Sequence, residues 1–142
     1  MKKDVIIYVK GEQYYEGVDP DGVELMTEGT MTVEEDAITL AYEETELTGM
    51  EGTTTTFRIC GDTVTLTRSG RINSQMIFQE DRPHSSLYTT PWGQLEVDIT
   101  TQKLLHRITE RGGVMEIRYT IAVGHQVTGR NQYKVRVREK MR

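Results

Sequence analysis

Met115-Glu116-Ile117-Arg118-Tyr119-Thr120-Ile121-Ala122-Val123 alternates large apolar side chains with polar or small ones, and this stretch decides the fold. Successive side chains on a strand point to opposite faces, so the run buries one face and wets the other. Leu95, Val97 and Ile99 repeat the pattern upstream, and Tyr133, Val135 and Val137 repeat it downstream between Lys134, Arg136 and Arg138. Shorter alternations run through Leu25, Met31 and Val33, through Ile38, Leu40 and Tyr42, through Val64 and Leu66, and through Ile72, Met76 and Phe78. Residues 5–9 are apolar in both phases, so that strand is expected to be covered on both faces. Twenty threonines, four of them consecutive at Thr53, Thr54, Thr55 and Thr56, suit a pleated surface better than a helix.

Turn signals punctuate these runs at Asp19-Pro20-Asp21-Gly22, Gly49 to Gly52, Gly61-Asp62, Ser69-Gly70, Pro91 to Gly93, Gly112-Gly113 and Gly129-Arg130-Asn131. Connections this short join antiparallel neighbours. The expected product is all-β: a single closed antiparallel meander barrel of about 8–10 strands, since closure removes exposed sheet edges. Residues 101–111 read as a strand, with a helix as the alternative: Thr101 could cap, Leu104, Leu105 and Ile108 share a helical face, and Gly112 could stop it. Residues 33–46 carry a similar ambiguity. No repeat, linker or low-complexity tract appears, so residues 1–142 are expected to form one domain.

Hydrophobic residues make up 36% of the chain and charged ones 27%, an ordinary globular balance. The apolar stretch after Met1-Lys2-Lys3-Asp4 is too short for a signal peptide or a membrane span. Cys60 is the single cysteine, which excludes an internal disulfide and fits a reducing cytoplasm. The charge is uneven: residues 1–65 hold 15 acids and 4 bases, residues 66–142 hold 7 acids and 13 bases. The basic ladder Lys134, Arg136, Arg138, Lys140 and Arg142 could follow a phosphate backbone. The net charge of −5 and the lack of aromatic platforms on that face argue against nucleic acid, and acids on a neighbouring strand are the expected partners.

Val64-Thr65-Leu66-Thr67-Arg68-Ser69-Gly70, Thr90-Pro91-Trp92-Gly93-Gln94-Leu95 within residues 88–104, and residues 118–135 together resemble the YwiB-like family of small bacterial proteins. The resemblance spans most of the chain, with short motifs of moderate specificity. It implies a calycin-like β-barrel, of the kind seen in lipocalins and streptavidin, and it implies no catalytic residue. Trp92 stands where the family pattern leads one to expect tyrosine.

An eight-stranded barrel leaves room for side chains or one small ligand. Arg68 shares the phase of Val64 and Leu66, Tyr119 that of Met115 and Ile117, and His106 that of Leu104 and Ile108 if the segment is a strand. With Tyr88 these are the candidate lumen residues. A buried guanidinium cannot shed its proton and needs an anionic partner. That partner is either a ligand carboxylate or phosphate or, as structural pairs are commoner, an internal acid such as Glu28 or Asp98. His84, His106 and His125 show no metal-ligand spacing, Asp19 and Asp21 lack the rest of a calcium loop, and no cofactor motif is present. Glu34, Glu35, Asp36, Glu43 and Glu44 read as solvated turns that form no acid–base pair. The expectation is therefore a non-enzymatic barrel holding a small, anionic ligand, with an outer-surface interaction module, acting as a homodimer, as the alternative.

Overall fold

The computed structural model describes residues 1–14, 21–46, 50–71, 73–90, 93–124 and 126–140, with residues 21 and 87–90 described for their backbone only. Ten strands follow one another: β1 (Lys2–Tyr14), β2 (Asp21–Val33), β3 (Ile38–Glu43), β4 (Thr53–Cys60), β5 (Thr63–Gly70), β6 (Ser74–Gln79), β7 (His84–Thr90), β8 (Gly93–Thr109), β9 (Gly112–Val123) and β10 (Gln126–Glu139). They form a single sheet in the order β6-β5-β4-β3-β2-β1-β10-β9-β8-β7, every adjacent pair antiparallel. No helix among the described residues is long and apolar enough to cross a membrane.

The sheet curls until its two ends meet. At the seam the backbone supplies one isolated bridge, Glu80 to Thr101. Side chains complete it: the Leu104 amide donates to Glu80 Oε1 at 2.6 Å, and His84 Nε2 lies 3.1 Å from Gln79 Oε1. The barrel is thus nearly closed, with a hydrogen-bonded ladder around most of its girth and a side-chain clasp at the join.

Alternation along each strand fills the interior. Val5, Ile7 and Val9 of β1 meet Phe57, Leu66, Phe78, Ile117 and Val135 in one continuous buried cluster. Among the described residues nothing covers the outer face of residues 5–9, because the strands form a single layer with no second one behind it. Ile6 and Tyr8 point outward and are half-buried by their cross-strand neighbours. Leu95 keeps the apolar phase of Val97 and Ile99 yet stays exposed, out on the β7–β8 hairpin.

Residues 101–109 are strand; a bulge interrupts their alternation, and their helix-like spacing comes from Leu105, which lies exposed on the outer face. Thr101 pairs with Tyr119 and Lys103 with Arg118, so Gln102 is an extra residue that shifts the phase by one. Val97, Ile99 and Thr101 face inward before it, and Leu104 and Ile108 face inward after it. Residues 33–46 likewise contain strand β3 and no α-helix.

Gly29 on β2 is fixed by crowding. A Cβ there would sit 2.5 Å from the Ala41 carbonyl oxygen and 2.6 Å from Ile7 Cδ1. The carbonyl belongs to backbone and cannot swing away. Gly29→Ala is expected to lower the unfolding free energy by roughly 1–3 kcal/mol, the usual cost of overpacking. Urea denaturation checks this, and an unchanged midpoint would show that β2 and β3 have slack the packing does not suggest.

Candidate functional site

The interior changes character along its axis. Toward the β2–β3, β4–β5 and β8–β9 turns it is apolar and filled, whereas at the opposite mouth it opens into a recess of about 340 Å³. β1, β2, β3, β5, β9 and β10 all send side chains to it, among them Val9, Leu25, Tyr42, Arg68, Tyr119 and Tyr133. The lumen is therefore neither full nor empty: most of its length is core, and one end holds a polar pocket.

Arg68 is the cation of this pocket. Val64 and Leu66, in the same phase on β5, are buried, and Arg68 continues their row as a half-buried residue near the strand's end. Its Nη2 donates to the Tyr133 hydroxyl at 3.1 Å, while its buried Nε has no hydrogen-bond partner among the described residues. Burial alone would weaken the guanidinium's hold on its proton, but Tyr133, Tyr42 and Glu44 outweigh that and raise its pKa further. The group stays charged at every working pH.

Neither internal acid expected for Arg68 serves it. Glu28 lies on the outer phase of β2 and pairs with Lys140 at 3.0 Å, and Asp98 accepts from Ser85 Oγ at 2.6 Å. The carboxylate in the recess is Glu44, expected to be a solvated turn residue but only 6% exposed. Its amide donates to the Thr53 carbonyl, which extends the β3–β4 ladder beyond Glu43, and the inward phase of Leu40 and Tyr42 carries through to position 44. Thr55 Oγ1 donates to Glu44 Oε1 at 2.6 Å.

Three tyrosine rings form the apolar part of the wall. Tyr119 stacks on Tyr133 with centroids 5.8 Å apart and a 20° interplanar angle, and Phe57 meets Tyr133 edge-on at 6.0 Å. Gly11 makes this possible, since a Cβ there would come within 3.1 Å of the Tyr133 ring. Tyr42 is buried beside Glu44. Burial first, and then the Glu44 carboxylate, push its phenol well above the usual range. At the rim Glu12 accepts from the Tyr14 hydroxyl at 2.8 Å and pairs with Lys10 at 3.5 Å.

Of the lumen residues expected from sequence, Arg68 and Tyr119 come together in the recess. His106 does not join them. It is half-buried on β8 and its Nε2 lies 2.7 Å from the Gly61 carbonyl oxygen, at the β4–β5 turn and so at the other end of the barrel. The Tyr88 side chain lies outside the described residues, as do Asp19, Pro20, Gly49, Ile72, Pro91, Trp92, His125 and Arg142. Tyr42, Tyr133 and Glu44 are the site residues that sequence reasoning passed over. The signal for all three was phase, because each continues an inward row already recognised. Among the described residues no group of three His, Cys, Asp or Glu side chains is placed to hold a metal ion.

The outer face also departs from expectation. Arg136 lies opposite Tyr8 and Val114, and Arg138 opposite Ile6 and Gly112, rather than opposite acids. Tyr8 is thus an aromatic on the face expected to have none. Lys134, by contrast, lies opposite Glu116 of β9, an acid on a neighbouring strand as expected, and Lys140 reaches Glu28 two strands away on β2 at 3.0 Å.

A nearly closed ten-stranded antiparallel barrel, apolar through most of its lumen and polar at one mouth, defines the class of this protein. The chain belongs to the family described as Domain of unknown function (DUF1934), whose model matches residues 7–135. Among solved structures it is similar to the crystal structure of the ywiB protein from Bacillus subtilis, with a TM-score of 0.84 at 19% identity, covering 99% of this chain and 94% of that one. At that identity the likeness establishes the shared fold. No curated protein matches the chain.

The Tyr42 phenol generates a test in alkali. The folded state keeps its proton at a pH where the unfolded chain releases it. The contribution is therefore fully present below the ordinary phenol pKa of about 10 and is lost as pH rises beyond that. Chemical denaturation across that range should show stability falling, and Tyr42→Phe should flatten the fall. A Tyr42→Phe protein with an unaltered alkaline slope would place the phenol in water.

Proposed function

We propose that the barrel binds a small molecule through an anionic group seated on Arg68, in the recess at the polar mouth, without catalysing its conversion. The observation that carries this reading is the Arg68 side chain, which lines the recess and whose Nε has no hydrogen-bond partner among the described residues. A buried donor without a partner costs on the order of 1–3 kcal/mol, more when charged, and a ligand carboxylate or phosphate oxygen relieves that cost. The recess has the size and mixed character of a small-ligand site: aromatic and aliphatic walls around a few convergent polar groups. Tyr119, Tyr42 and Tyr133 supply the wall and Arg68 the orientation. His106, at the far end, lies outside this site. A reducing cytoplasm suits a chain whose one thiol, Cys60, is free.

Amide chemical-shift mapping with small carboxylates tests the reading. Shifts should cluster on Val9, Tyr42, Arg68 and Tyr133, and should vanish in Arg68→Met, which keeps bulk without charge. Shifts scattered over the surface, or surviving in Arg68→Met, would refute it.

A second reading, homodimerisation through the outer face, is favoured by one cross-strand row. Met26, Tyr8, Arg136, Val114 and Arg107 lie side by side on β2, β1, β10, β9 and β8. Met26 is 69% exposed and Val114 45%. Tyrosine, methionine and arginine are the residues enriched at protein interfaces, and Glu24 and Glu28 on one flank could face arginines of a two-fold mate. Light scattering should then report a dimer that Val114→Asp converts to monomer, and a strict monomer at high concentration would remove this reading.

A further inference from the structure

The recess holds charge of both signs. Arg68 contributes the positive charge and Glu44 the negative one, while Glu12, in the outer phase of β1, is neutralised by Lys10. The two acids differ in kind. Glu12 stands at the rim, already matched by Lys10 and Tyr14. Glu44 is buried in the wall itself, fixed by Thr55, beside the face of a tyrosine-lined cavity. A ligand carrying only negative charge gains Arg68 but must approach Glu44 across a poorly screened interior, where like charges repel far more strongly than in water. Such a ligand would leave Glu44 facing a new anion.

From this arrangement we infer that the recess selects an amphoteric small molecule, of amino-acid type, whose acid group sits on Arg68 and whose ammonium group faces Glu44 and the tyrosine rings. This deepens the proposed function and rests on it. Each part of the wall then has a counterpart. The Arg68 guanidinium, whose buried Nε has no hydrogen-bond partner among the described residues, takes the carboxylate. Glu44 takes the cation, and the faces of Tyr42, Tyr119 and Tyr133 add the attraction between a positive charge and an aromatic ring. Val9 and Leu25 border the same space and suit an apolar side chain. The volume of about 340 Å³ admits one such molecule and excludes long polymers.

Three probes of nearly one shape separate the alternatives: phenylalanine, 3-phenylpropanoate and 2-phenylethylamine. They carry both charges, the negative charge alone and the positive charge alone. Calorimetric titration of the full chain at low salt should find phenylalanine at least tenfold tighter than either of the others. In Glu44→Gln, which retains an acceptor for Thr55, the advantage of phenylalanine over 3-phenylpropanoate should shrink to less than threefold. The inference is overturned if 3-phenylpropanoate binds the wild-type protein as tightly as phenylalanine does, a comparison that needs no variant. In that event the Arg68 reading survives, provided Arg68→Met abolishes the binding. If neither carboxylate binds, or if Arg68→Met binds both unchanged, the Arg68 reading falls and the amphoteric preference falls with it.

Discussion

The ladder between β1 and β10 is the constraint on which the rest of the barrel depends. β1 to β6 form one run of hairpins and β7 to β10 another, and only the pairing of the first strand with the last makes them one sheet. That pairing joins residues as distant as Val5 and Glu139. By chain-closure scaling it costs about 3 kcal/mol more than closing a tight hairpin. Ten residue pairs, from Val5–Glu139 to Tyr14–Arg130, offset this, and Val5, Ile7, Val9, Val135 and Val137 seal the ladder's inner face. Without it, Tyr133 would not lie over Gly11, and Arg68 would lose the phenol that holds it across the lumen.

The lumen's two ends follow from how alternation terminates. In the apolar half, inward positions are taken by residues such as Ile59, Val64, Phe78 and Met115, and their volumes meet at the axis. At the mouth the inward rows end in Tyr42 and Glu44, in Arg68, in Tyr133 and in Gly11. These groups are too polar to close over one another and too well held to turn into solvent. Tyr133 accepts from Arg68, Thr55 donates to Glu44, and Phe57 braces the ring of Tyr133. A polar end built on rigid strands is pre-organised, which lowers the entropic cost of binding.

The sequence made the architecture legible because period two is hard to imitate over β9 or β10, and because turn signals marked six of the nine connections; Gly129-Arg130-Asn131, read as a turn, lies within β10 beside a bulge. It misled where the period was interrupted. The extra residue Gln102 reversed the inward phase between Thr101 and Leu104, and Leu105, apolar but exposed on the outer face, gave residues 104–108 the spacing of a helix. Arg68 and Tyr119 could be placed inward by phase. His106 could be given a phase but not a level along the axis, since level depends on strand stagger, which only the pairing registers define. Glu44 was hidden by its neighbour: beside exposed Glu43 it looked like part of a charged turn, although its parity matched Tyr42. Partners across the lumen, such as Tyr133 for Arg68, lie 65 positions away and leave no local mark.

The seam has a dynamic consequence. Eight of the strands have a ladder on both sides, but β6 and β7 end the sheet with one each, and β6 meets β8 through one backbone bridge and the Glu80 carboxylate. A hoop is as strong as its join, so the least costly excursion of this molecule is an unclasping at Glu80 and Thr101 that leaves the β1–β10 ladder intact. Buried Thr101 Oγ1, unpartnered within the described residues, would meet water first. Breathing of this sort exposes Phe78 and Ile99 while leaving Arg68, Tyr133 and Glu44 in place, so the barrel can fluctuate without disassembling the pocket.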